Sequence, residues 1–138
     1  MRVIVLDAWA ALALLKGERP AIAVIGHYVN QAAAGRVRLG MSIVNLGEVL
    51  YRLIHLEGLA LARRHVARFR SGPVEILPAR DTVVLAAAEL KGEHALSYAD
   101  AFAVATARIE HAVLVTGDPE ILALPRAVVR TRRVVRES

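Results

Sequence analysis

The apolar positions of this 138-residue chain change period several times, and each change marks an element. Residues 3–6, VIVL, are short, β-branched and uninterruptedly apolar, which is the pattern of a buried strand. They run through Asp7 into the helix-forming stretch AWAALALLKGE. A second helical stretch covers AIAVIGHYVNQAAAG and is stopped by Gly35, after which RVRLGMS reads as a short strand. Ser42 opens SIVNLGEVLYRLIHLEG, whose apolar residues recur at helical spacing as far as Gly58, and LALARRHVARFR continues as a basic helix to the SGP at 71–73. VEILPA is a strand candidate, Asp81 is placed as the cap of TVVLAAAELKG, and Ser97 opens the helix of LSYADAFAVATA. AVLVTGDPEIL then repeats the order strand, turn, helix, and AVVRTRRVVRES reads as a last strand with its arginines on the exposed side.

Strands that alternate with helices predict an α/β fold, a parallel sheet covered on both faces. The length and a 56% hydrophobic content suit one domain over 1–138, with no linker, low-complexity run or internal repeat. The longest apolar run, AWAALALL at 8–15, falls well short of the ~18 residues of a membrane span, and no signal-peptide pattern opens the chain, so the expectation is a soluble, cytoplasmic protein. The chain has no cysteine, which removes disulfides, thiolate metal sites and a cysteine nucleophile.

A net charge of +5 would attract polyanions. Sixteen of the eighteen basic residues are arginine, however, and with the abundant alanine this is also what a GC-rich coding sequence produces. Charge permits a nucleic-acid partner without establishing one.

In open α/β sheets the functional crevice lies at the carboxyl ends of the strands, so acids at strand-to-helix turns carry most weight. Three of the four aspartates, Asp7, Asp100 and Asp118, stand at or just inside helix starts. Each has a purely local explanation. Asp7 and Asp118 can cap helices, the latter with Pro119 at the favoured first position, and Ser97 with Asp100 matches a capping box. Glu48 is different. Ser42, Asn45 and Glu48 form a polar stripe on an otherwise apolar helix, which is either an exposed seam with Glu48 paired to Arg52 or a buried stripe that meets something polar. Four carboxylates brought to one sheet edge repel one another unless a cation neutralises them. Mg²⁺ or Mn²⁺, with oxygen ligands and an activated water, is the natural choice, and the implied chemistry is phosphodiester hydrolysis.

With these residues in view, VLDAWAALALLKGE, SIVNLGEVLYRL, LSYADAFAVATA and LVTGDPEIL resemble the four acidic motifs of PIN-domain ribonucleases, in particular the VapC-like toxins of toxin–antitoxin pairs. The resemblance runs from residue 3 to about 125 and agrees in motif order, spacing and length. It implies a PIN-like α/β/α sandwich around a central, mainly parallel sheet of about five strands. It also implies that Asp7, Glu48, Asp100 and Asp118 are the catalytic residues that hold Mg²⁺ or Mn²⁺, with Asn45 and Thr116 in supporting roles. The substrate would be RNA, the inhibitor a cognate antitoxin protein, and the assembly a homodimer.

The chain departs from the family pattern just after the first aspartate. Ala8 and Trp9 follow the first aspartate where relatives often have Ser or Thr, and Trp9 is open to reading as a core anchor, an oligomer contact or a surface on which a base stacks. Glu120 stands where many relatives have a further acid, but a helix dipole equally favours it there. Arg63, Arg64, Arg68 and Arg70, with Arg126, Arg130, Arg132, Arg133 and Arg136, could hold RNA beside the acids; Arg63, Arg64, Arg130 and Arg132 are the chosen candidates, against a solvated helix and a protected edge strand. The five histidines show no metal-ligand spacing, and no phosphate-loop, nucleophile-elbow or dinucleotide-binding motif is present. The rival of a different class is a non-catalytic PIN-like module that binds RNA or protein, its acids serving as caps and seams.

Overall fold

A computed structural model describes residues 1–137. Its elements follow in the order β1 (Val3–Leu6), α1 (Ala8–Leu15), α2 (Ala21–Ala33), β2 (Arg38–Ser42), α3 (Ile43–Glu57), α4 (Leu59–Arg70), β3 (Glu75–Leu77), α5 (Asp81–Glu93), α6 (Tyr98–Ile109), β4 (Val113–Thr116), α7 (Pro119–Leu122) and β5 (Thr131–Arg133). The five strands form one parallel sheet in the order β3-β2-β1-β4-β5. The α/β reading and the strand count therefore hold.

The period of two along a strand divides the core. Ile4 and Leu6 face a cluster that α1 to α4 complete, with Ile25, Leu46, Val49 and Phe69. Val5, between them, faces the other way, into a cluster with Phe102, Val104 and Ile121. The same alternation puts Val115 in the first cluster and Leu114 in the second. Both faces being covered explains why VIVL and the VLV of β4 are apolar throughout instead of alternating.

Helix starts follow local chemistry. Asp7, Ser42, Ser97 and Asp118 each cap a helix by accepting from a backbone N–H two or three residues on. Asp81 does not. Arg80, extended at φ −72° and ψ 165°, is the residue before α5, and Asp81 is its first helical residue, where its charge meets the helix dipole. At the α3–α4 junction Gly58 takes φ 87°, which a side chain would resist, and so the two helices form a hairpin without a longer loop. Among the described residues no helix is long and apolar enough to cross a membrane.

The strand order places the reversal of direction between β1 and β4, since the chain adds β2 and β3 on one side and β5 on the other. A crevice forms where the chain parts in this way. Asp7 leaves the end of β1, and Asp118 follows two residues after the end of β4.

Candidate metal centre

Asp7 is 1% exposed. One of its oxygens accepts from the Ala10 N–H at 2.8 Å, and the other accepts from the hydroxyl of Thr116. That hydroxyl oxygen accepts in turn from the Asp118 N–H at 2.9 Å. A short relay thus ties the end of β1 to the turn after β4, with Thr116 fully buried between them.

Asp118 accepts from the Glu120 N–H at 2.8 Å, as a cap does, yet its carboxylate also meets two others. Oxygens of Asp100, Asp118 and Glu120 lie within 4.8 Å of one another. Asp100 comes from the first turn of α6, which Ser97 fixes by accepting the Asp100 N–H at 3.1 Å. Glu120 therefore joins the acidic group. The sequence alone could not decide this, because a first-turn acid is also what the helix dipole selects.

Glu48 and Asn45 approach from α3; Glu48 lies outside the group of three close acids, though its charge acts on Asp100. Asn45 is buried and donates from Nδ2 to the carbonyl of Ala99 at 2.9 Å, which holds α3 against the start of α6. Glu48 pairs with Arg52 at 3.0 Å, as the seam reading supposed. That pair uses only one of its oxygens. Glu48 Oε1 and Asn45 Oδ1 are buried without a hydrogen-bond partner among the described residues. An unmet acceptor in the interior costs ~1–3 kcal/mol, and more when charged.

The electrostatics follow from this crowding. Burial pushes the Asp7 carboxyl up to about 7 against the two hydrogen bonds that favour its charged form, and the charges of Asp100 and Asp118 add to the rise. Asp100 is also pushed up to about 7, first by burial, then by Asp118, with Glu48 adding to it; the Ser97 hydroxyl opposes the shift. These are carboxylates arranged where their own charges disfavour one another. The unmet oxygens and this mutual repulsion fit a hard divalent cation with oxygen ligands.

The basic candidates scatter more widely. Arg63 and Arg64 are exposed on α4, whose buried side is Ala62, Val66 and Phe69. Arg130 lies level with the beginning of β4, where its carbonyl accepts from the Leu114 N–H at 2.9 Å, at the end of the strand away from the acids. Arg132 pairs with Val115 in the β5 register, while Arg133 pairs with Thr116 and is nearer the acidic end. Arg136 sits over the half-buried Trp9 ring at 5.1 Å. Among the histidines, His65 meets Glu57 at 2.6 Å across the α3–α4 junction.

A parallel five-stranded sheet with acids gathered at the carboxyl ends of β1 and β4 defines the class, and the sequence agrees: the chain belongs to the PIN domain family, whose model matches residues 4–127. Its fold is similar to those of VapBC from Salmonella typhimurium, solved bound to DNA (17% identity, 96% of this chain and 98% of that chain, TM-score 0.77), and VapBC2 from Rickettsia felis, solved with a DNA fragment from their promoter (16%, 96% and 99%, TM-score 0.76). It is also similar to VapC20 from Mycobacterium tuberculosis, a sarcin–ricin loop cleaving toxin (19%, 87% and 93%, TM-score 0.69). At these identities the likeness is one of fold. No curated protein matches the chain.

Proposed function

We propose that this PIN-domain protein is a metal-dependent endoribonuclease and the toxin of a type II toxin–antitoxin pair, inhibited by a cognate antitoxin, working as a homodimer in the cytoplasm. The observation that carries the reading is the buried, unpartnered Glu48 Oε1 beside a carboxylate group that resists ionising. The toxin role rests on the family and on the toxin–antitoxin proteins that share the fold. The exposed Tyr51, Leu56 and Leu59 on α3 and α4 suit both an antitoxin and a second copy.

Asp7, Glu48, Asp100 and Asp118 would hold Mg²⁺ or Mn²⁺, directly or through water, and Glu120 is added to them on its proximity. The ion, when bound, supplies Lewis-acid stabilisation of the phosphodiester and a more acidic water. Thr116 keeps the Asp7 carboxylate turned between the Ala10 N–H and the site. Asn45 and Ser97 fix where α3 and α6 deliver Glu48 and Asp100. No covalent intermediate on the protein is needed.

The caps at Asp7 and Asp118 and the Glu48–Arg52 pair favour one other reading, a non-catalytic module that binds RNA or protein. Incubating the antitoxin-free protein with a panel of structured RNAs in Mg²⁺, Mn²⁺ or EDTA separates the two. The nuclease reading expects discrete products that EDTA abolishes; folded protein that cuts none of them moves the assignment to the binding module.

Proton linkage gives a second test. In the unfolded chain Asp7 and Asp100 titrate near 3.8, and in the folded metal-free protein near 7. Between these values the folded state holds more protons, so the stability these two groups contribute is full below pH ~4 and is lost as pH rises through about 7. A cation must displace the same protons, so its binding tightens over that range. Thermal melts should show Mn²⁺ raising the melting temperature of the wild-type protein clearly at pH 8 and little at pH 5.5. Equal stabilisation at both values would contradict the linkage.

A further inference from the structure

Trp9 follows Asp7 by two residues, and its indole lies against the backbone of the other acid-bearing turn. The indole packs so closely on Gly117 that a Cβ there would lie 2.5 Å from Cε2 and Cη2. Gly117 immediately precedes Asp118, and Trp9 stands two residues after Asp7. The ring therefore bridges the two turns that deliver acids from β1 and β4. It is only partly buried, and with Leu122, Val135, Arg133 and Arg136 it lines a groove of about 710 Å³ that runs on from Gly117 and Pro119.

We infer that this groove holds a nucleotide of single-stranded RNA next to the bond to be cut, its base against the exposed part of the Trp9 indole and its phosphates on Arg133 and Arg136. The inference rests on the nuclease reading and names the part of the substrate that this chain's own residues would grip.

Three observations carry it. The groove is lined by Gly117 and Pro119, the residues on either side of Asp118, so a strand lying in it rests against the turn that delivers this acid. Its walls combine an aromatic and aliphatic surface with two arginines and, among the described residues, no acid, which matches a ligand that alternates flat apolar bases with anions. Arg136 already lies over the indole at 5.1 Å, held by Glu18 at 3.3 Å, so a cation and a ring are in place together where a base and its phosphate would meet them. Single strands are bound in this way, by stacking for the base and charge for the backbone.

Trp9 is the chain's only tryptophan, so its fluorescence reports on this groove alone. RNA oligonucleotides of about six residues, within the span of single-strand binding sites, are titrated into the protein in EDTA, which keeps them intact. Fluorescence is followed beside the anisotropy of the labelled RNA. The expected result is quenching on binding, at least several-fold weaker affinity for an oligonucleotide abasic throughout, and for Arg133→Ala/Arg136→Ala a salt slope smaller by roughly 1.4. RNA that binds while Trp9 emission and the salt slope stay unchanged overturns the groove and leaves the nuclease reading intact. Emission that responds to an acidic peptide and not to RNA overturns it in favour of a protein occupant. Failure to bind any RNA also overturns it, while the nuclease reading is judged separately by metal-dependent cleavage.

Discussion

Asp7→Asn is expected to leave the protein folded and more stable than wild type at pH 8 without metal, while reducing RNA cleavage by on the order of 10²–10³-fold, the scale of losing a group that acts on transition-state charge. The two effects have one cause. Asparagine keeps the oxygen that accepts the Ala10 N–H, so the α1 cap survives. Its amide can donate to the Thr116 hydroxyl, whose oxygen has room for a second donor besides the Asp118 N–H. What disappears is a buried charge that the folded metal-free protein holds unwillingly, with a carboxyl pushed up to about 7. Removing it should raise the metal-free melting temperature at pH 8 by about 4 °C or more, the shift that ~1 kcal/mol produces in a domain of this size. The same change should remove most of the stabilisation by Mn²⁺. A cap with no other duty predicts the opposite pattern, since asparagine caps as well as aspartate and neither cleavage nor metal response would move. Melting curves and cleavage rates on the one variant therefore separate capping from metal holding.

Capping is chemistry within three residues, so the starts of α1, α3, α6 and α7 can be read directly from Asp7, Ser42, Ser97 and Asp118. The one misplaced cap, Asp81, also has a local cause. Pro78, Ala79 and Arg80 are outside any element, and the helix takes Asp81 as its first residue instead of starting after it. An acid favours both positions, so the sequence does not separate them.

The centre itself is less legible because it is assembled across long separations. Thr116 reaches Asp7 over 109 positions, and Asn45 reaches Ala99 over 54. Asp7 and Asp118 could be picked out because strand ends are where such folds gather function, Glu48 by the polar stripe it shares with Ser42 and Asn45, and Asp100 as an acid just inside a helix start. Glu120 shows the limit: its place in the first turn of α7 has a sufficient local reason, and only the fold brings it within 4.8 Å of Asp100. The arginines show it too. Arg130 and Arg133 are three residues apart, yet β5 carries one to the amino end of β4 and the other level with Thr116 at the acidic end.

Gly117→Ala should be the most damaging single-methyl change near the site, because the added carbon meets a ring and not the end of a flexible chain. Its Cβ would lie 2.5 Å from two indole carbons of Trp9 and nearer still to Cζ2. Trp9 packs against the core cluster beneath α1 on one side and under Arg136 on another, so the ring yields only by moving α1 or the turn after β4. Overpacking of this kind costs ~1–3 kcal/mol. Here either movement also displaces an acid, Asp7 in the first case and Asp118 in the second. Urea denaturation should therefore show a loss of that size, and cleavage should fall along with it. Trp9→Ala removes the obstacle, so the double variant should be more stable than the sum of the two single changes predicts, by about 1 kcal/mol or more. Additive losses would mean that the two turns do not depend on this contact, and that the tryptophan two residues after Asp7 is held by the rest of its surroundings.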